Sequence, residues 1–102
     1  MEFVPESINK YKFYKEIATL PFVEKIVLFG SRARGSNLER SDIDLAVLCP
    51  KATDMDWIKV LDIIEEADTL LKIDCIRLDT LPLSSPLRKN IEQEGIIIYA
   101  KN

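Results

Sequence analysis

The chain has 102 residues, enough for one domain around one hydrophobic core, and 47% of them are apolar against 30% charged, which excludes the composition of a disordered protein. Fourteen Lys and Arg against seventeen Asp and Glu leave a net charge of −3, which argues against direct nucleic-acid binding. No apolar run approaches the roughly 18 to 20 residues that cross a bilayer, and the first residues lack the segments of a signal peptide, so the expectation is a cytoplasmic protein with no membrane contact.

Pro5 followed by Glu6 suits a first helical turn, and Ile8, Tyr11, Phe13, Ile17 and Leu20 recur at roughly helical spacing, which predicts one helix ended by Pro21. Tyr11, Phe13 and Tyr14 are too many for one narrow stripe, and predict either a protein contact surface or additional core packing. Lys25 to Phe29, β-branched and aromatic and closed by Gly30, predicts a strand, and Ile43 to Leu48 predicts a second. Between them, Arg32-Ala33-Arg34 suits a short helix broken by Gly35, and Asn37 to Arg40 a polar loop.

From Thr53 to Leu71, the spacing of Trp57, Leu61, Ile64 and Leu71 predicts the longest helix, with Thr53 and Asp56 forming a capping box. Ile73 to Leu78 reads as a short third strand. Ser85-Pro86 opens a last helix whose Leu87 and Ile91 share a face and which Gly95 terminates, before a final strand from Ile96 to Tyr99. The order α-β-(short α)-β-α-β-α-β predicts an α/β fold, a small mixed β-sheet flanked by helices, with residues 1–102 as a single domain.

Cys49 and Cys75 are the two cysteines, each in an apolar stretch and with no histidine in the chain to join them at a zinc site, so they predict buried, reduced thiols. Without histidine, acid–base chemistry falls to Asp, Glu, Lys, Tyr or a metal-bound species.

Three features point to chemistry. Gly30-Ser31, at the end of a strand and before a short helix, suits an anion cradle: a glycine lets a phosphate approach the main chain and the serine adds a hydroxyl donor, although such a pair is also an ordinary turn. Asp42-Ile43-Asp44 opens the second strand; alternation points both carboxylates to one face, their Cα atoms roughly 7 Å apart, while Ile43, Leu45 and Val47 point to the core. Two carboxylates so placed repel one another unless a cation sits between them, and hard oxygen donors favour Mg²⁺ or Mn²⁺; the plainer alternative is a strand cap beside a solvated acid. Asp74, an acid among apolar strand residues, approaches the same place if the third strand neighbours the second, as a metal ligand and as the group that orients or deprotonates an attacking hydroxyl; otherwise it pairs with Lys72 or Arg77. Gly-Ser followed ten residues later by Asp-x-Asp arises by chance in about one such chain in a thousand.

Gly30-Ser31-Arg32-Ala33-Arg34-Gly35 leading to Ser41-Asp42-Ile43-Asp44-Leu45-Ala46-Val47 resembles the signature of the DNA polymerase β-like nucleotidyltransferase superfamily, and within it the small free-standing minimal nucleotidyltransferases (MNT proteins) of bacteria and archaea. The resemblance implies the polymerase β-like fold over nearly the whole chain. It implies that Gly30 and Ser31 hold the triphosphate of ATP or another nucleoside triphosphate, that Asp42 and Asp44 ligate two Mg²⁺ ions, or Mn²⁺, and that Asp74 is the third carboxylate. Arg32 and Arg34 either neutralise phosphate oxygens or are solvated.

The implied reaction moves a nucleoside monophosphate to a hydroxyl with release of pyrophosphate. A templated polymerase would need further domains and a basic surface. The resemblance points instead to transfer of AMP to a HEPN-domain partner protein, with this chain as the antitoxin of a toxin–antitoxin pair. The alternatives are a small-molecule nucleotidyltransferase and a non-catalytic subunit that masks its partner by contact.

Overall fold

The computed structural model describes residues 6–34 and 42–101. The predicted first helix is two: α1, Glu6–Asn9, and α2, Phe13–Ala18. Ile8 and Phe13 lie five positions apart and would face different sides of one continuous helix. The break at residues 10–12 re-phases the chain, so that Ile8, Phe13 and Ile17 are all fully buried. Tyr14 is buried too, its hydroxyl donating to Asn9 Oδ1 at 3.0 Å and its phenol pKa pushed up by burial. Phe13 and Tyr14 therefore serve core packing, the second of the two predicted uses.

Strand β1 (Lys25–Phe29), the short helix α3 (Ser31–Arg34) and strand β2 (Ile43–Leu48) fall where the residue pattern places them. The long helix α4 is shorter than expected, Asp54–Glu65 rather than reaching Leu71. The Thr53–Asp56 capping box starts it as predicted. Past its end, two side chains that compete with helix hydrogen bonding take other partners: Thr69 Oγ1 accepts from the Leu71 amide at 3.1 Å, and the Asp68 carboxylate accepts from the Lys12 amide at 3.3 Å. That second bond ties the break between α1 and α2 to the end of α4. The inward face of α4 is Trp57, Val60 and Ile64, while Leu61 is 42% exposed.

Strand β3 ends at Arg77, one residue early, because Leu78–Thr80 turns as a 3-10 helix. Helix α5 (Pro86–Glu94) opens on Ser85, whose side chain accepts from the Arg88 amide, and strand β4 is Ile96–Ala100. Leu87, expected to share the buried face of α5, is 43% exposed, whereas Ile91 is buried. Gly95 ends the helix without a left-handed backbone: a Cβ there would collide with the Ile91 carbonyl oxygen and with the Val27 side chain.

The strands form one sheet in the order β3-β2-β1-β4. β1 is antiparallel to β2 and to β4, and β2 is parallel to β3, a pairing that needs the crossover supplied by α4. Both faces are covered. Ile26, Leu28, Ile43, Leu45, Val47 and Ile98 bury one face under α2 and α4; Val27 and Ala46 bury the other with Leu78 and Ile91. Each of the larger side chains contributes about 1.5–3 kcal/mol by leaving water. Cys49 is fully buried and Cys75 partly so, both as free thiols whose pKa burial pushes up, to about 11 and about 12. Among the described residues no helix is long and apolar enough to cross a membrane.

Candidate active site

The smaller-core face of the sheet can be laid out in rows, because hydrogen-bonded partners on adjacent strands project their side chains the same way. One row runs Asp74, Asp44, Phe29 across β3, β2 and β1, and the next runs Ile76, Ala46, Val27. The second row is covered by Leu78 and Ile91. The first lies beyond that cover, at the end of β1 where the chain turns at Gly30, and there two acids face each other across neighbouring strands.

Asp44 and Asp74 are direct register partners, and their carboxyl oxygens lie within hydrogen-bonding reach, a contact in which one must donate a proton to the other. Burial first, then the negative charges of Asp74 and Asp42, hold the Asp44 pKa above the usual carboxylate range, while Lys72 opposes the rise. Lys72 Nζ stands 3.7 Å from Asp74 Oδ1, but the two side chains are 69% and 46% exposed, so the pairing is weak. Asp74 thus meets both partners that its sequence setting offers it, the second-strand acid and Lys72, whereas Arg77 turns to Asp79 instead.

Gly30 stands against the same carboxylate. Its φ is +75°, a left-handed conformation, and a Cβ there would collide with Asp44 Oδ2, so this position excludes side chains on two independent grounds. Ser31 follows as the first residue of α3, whose turn is closed by the Ala33 amide donating to the Gly30 carbonyl at 3.2 Å. The glycine–serine turn and the acidic row therefore share one corner of the sheet.

Asp42 immediately precedes β2 and is exposed. Arg32 is 3% exposed and donates from Nε to the Asp42 carbonyl at 3.3 Å, so it is not a solvated charge: it braces the entry into β2. The side chain of Arg34 lies outside the described residues, as does Ser41. Among the described residues, no three acidic or thiol side chains already stand close enough together to enclose an ion. What meets is the Asp44–Asp74 pair, with Asp42 near enough for its charge to be felt at Asp44. As a donor set this fits a hard divalent cation such as Mg²⁺ or Mn²⁺: every donor is oxygen, and a cation would offset both the burial and the acidic repulsion that raise the Asp44 pKa. A cleft of about 550 Å³ lies elsewhere, at the other end of the sheet, and is lined by Phe22, Lys25 and Lys51 among others.

The family model described as "Polymerase beta, Nucleotidyltransferase" matches residues 11–102. MJ1379 of Methanocaldococcus jannaschii, a candidate protein adenylyltransferase, is 31% identical over 96 residues, which cover 93% of this chain and 94% of that protein. Among solved structures, a toxin–antitoxin crystallised with AMP-PNP superposes with a TM-score of 0.65 at 22% identity, covering 89% of this chain and 70% of that one. A candidate nucleotidyltransferase from Sulfolobus solfataricus superposes with a TM-score of 0.55 at 18% identity, covering 88% and 76% of the two chains. The four-stranded mixed sheet with its flanking helices is the polymerase β-like fold. Enzymes of this kind generally take a nucleoside triphosphate and a divalent metal ion. The chain belongs to the polymerase β nucleotidyltransferase family and is a nucleotidyltransferase.

Proposed function

We propose that this nucleotidyltransferase transfers AMP from ATP to a hydroxyl group of a partner protein, in the cytoplasm, as the antitoxin of a toxin–antitoxin pair whose toxin is a HEPN-domain protein. The observation that carries the reading is the meeting of Asp44 and Asp74 in front of Gly30, which gathers an acidic pair and a close-approach turn at one corner. Supporting the choice of acceptor, the relative of similar length is a candidate protein adenylyltransferase. A toxin–antitoxin was crystallised with AMP-PNP, and another such structure, MntA-HpeT, carries two Asp-to-Glu substitutions two positions apart, the spacing of Asp42 and Asp44.

In this reading, residues 1–102 act as one domain. Gly30 and Ser31 hold the triphosphate, the glycine by letting phosphate oxygens reach the main chain. Asp42, Asp44 and Asp74 hold Mg²⁺, two ions or their Mn²⁺ equivalents, which when bound neutralise charge developing on the phosphoryl group. Asp74, at the open end of its row, orients the acceptor hydroxyl and takes its proton as the oxygen bonds to the α-phosphorus and the bond to pyrophosphate breaks. Arg32 acts through Asp42 by fixing where β2 begins, and Arg34 is left as the arginine for phosphate oxygens.

The test is transfer of label from α-labelled ATP, with Mg²⁺, to the protein encoded beside this chain. The reading requires label on that protein, lost on the order of 10² to 10³-fold or more in Asp44→Asn while the two proteins still bind. A partner that binds tightly and stays unlabelled would replace it with a masking subunit; label on a small molecule instead would replace the protein acceptor.

A further inference from the structure

At the far end of the sheet the same face closes on a different chemistry. Lys25 is the register partner of Leu48 on β2 and of Ala100 on β4, so Leu48, Lys25 and Ala100 form a row parallel to the acidic one. Along β1 the two rows are separated by the four steps from Lys25 to Phe29, roughly 13 Å. This row is part of the wall of the 550 Å³ cleft, a volume within the range of small-molecule sites.

Three lysines line the cleft, and they come from three separate places in the chain: Lys25 at the start of β1, Lys51 in the turn after β2 and Lys101 after β4. With one acid, Glu24, among the lining residues, the cleft is locally cationic in a chain of net charge −3. Phe22 and Pro21 supply an apolar wall.

The frame around it is held at each corner. Glu24 donates its amide to the Leu48 carbonyl and accepts from the Lys101 amide, both at 2.8 Å, and Lys101 Nζ donates to the Pro21 carbonyl at 2.9 Å. The turn that carries Lys51 is clamped by Arg77, which donates to the Cys49 carbonyl at 3.1 Å and to the Ala52 carbonyl at 2.8 Å. Arg77 is itself fixed by Asp79 at 2.9 Å, and the other oxygen of Asp79 accepts from the Cys49 amide at 2.8 Å.

We propose that this cleft is a second binding site, separate from the acidic corner, for a phosphate-bearing small molecule with a flat apolar body, of the size of a nucleoside monophosphate. Lys25, Lys51 and Lys101 meet the phosphate as point charges, the Phe22 side packs the flat body, and Glu24 accepts from a ligand hydroxyl or amino group. The acid also disfavours a bare polyanion, which would place further negative charge against it.

The probe is AMP, added to the full chain without divalent cation, with binding followed through backbone amide shifts. Saturable shifts at Phe22, Lys25, Lys51 and Lys101 that persist in Asp44→Asn, with affinity reduced on the order of tenfold in Lys51→Ala, support the site. Lys51 is exposed in a turn, so its truncation leaves the core untouched; Lys25→Gln provides an independent second variant. Shifts confined to Gly30 and Asp44, or no saturable shift at all, overturn the proposal. Inorganic phosphate binding as tightly as AMP overturns the apolar half of it. Because the amides of the two corners are read separately, a failure here leaves the transferase reading untouched, and the reverse.

Discussion

The two ends of one sheet face are built in opposite ways. At the acidic corner like charges are brought together, Asp44 against Asp74 with Asp42 nearby, and among the described residues a counter-charge comes from Lys72, in an exposed contact with Asp74. At the basic corner the charged lining sits in a frame whose backbone groups are tied by Glu24, Lys101, Arg77 and Asp79. The first arrangement costs folding stability that a bound cation would offset, whereas the second carries its own hydrogen bonds. That contrast is the usual signature of a reactive site set into a supporting scaffold.

The largest effect that tests the contrast is chemical. Asp44→Asn is expected to reduce nucleotidyl transfer by an amount equivalent to about 3–4 kcal/mol in the barrier, read as label transferred per minute. Next is the scaffold: Arg77→Ala removes one partner of a mostly buried ion pair and frees two carbonyls, and should lower unfolding stability by about 3 kcal/mol in a urea titration. A loss below about 1 kcal/mol would make the basic frame no stiffer than any surface turn.

Gly30→Ala is expected to destabilise by about 2 kcal/mol, since it combines a left-handed φ with a collision against Asp44. The double variant Gly30→Ala with Asp44→Ala should recover part of that loss, the part due to the collision.

A smaller effect has the opposite sign. An Asp44 pKa raised by burial and by its acidic neighbours means that folding favours the protonated form, so its contribution is present below the unfolded pKa and is lost as pH rises through the higher folded value. At neutral pH the ionised group is therefore a burden on the cation-free fold. Asp44→Asn should raise the Tm by a few degrees without divalent cation, and Mg²⁺ should raise the Tm of the wild type but not of the variant. A variant that melts lower than wild type without cation would remove the stored repulsion from the acidic corner. Smallest of all, Lys51→Ala should change stability by less than about 0.5 kcal/mol, leaving its effect to ligand binding alone.

Much of this is legible in the sequence. β1, β2 and the capping box of α4 follow from local patterns, and the acidic corner was announced by a compact motif, Gly30-Ser31 and then Asp42-x-Asp44, with Asp74 one strand away. The features that local pattern does not carry share one origin. The break in the first helix and the early end of α4 meet where Asp68 accepts from the Lys12 amide, a contact across 56 positions that no window along the chain contains. Arg32 reads as either a phosphate partner or a solvated charge; its burial excludes the second, and the Asp42 carbonyl to which it donates is a backbone atom that carries no residue signal.

The basic cleft lies wholly beyond local pattern, since Lys25, Lys51 and Lys101 are three ordinary lysines until β1, β2 and β4 bring them to one end of the sheet. The sequence by itself determined the strands, the caps, and the chemistry of the acidic residues, because side-chain alternation, capping and charge repulsion act over a few neighbouring residues. Tertiary structure alone decided that Asp74 pairs with Asp44, that Gly30 has no room for a side chain, and that the sheet ends in two opposed charges. Those outcomes depend on strand order and register, which are set by the simultaneous burial of residues from the whole chain.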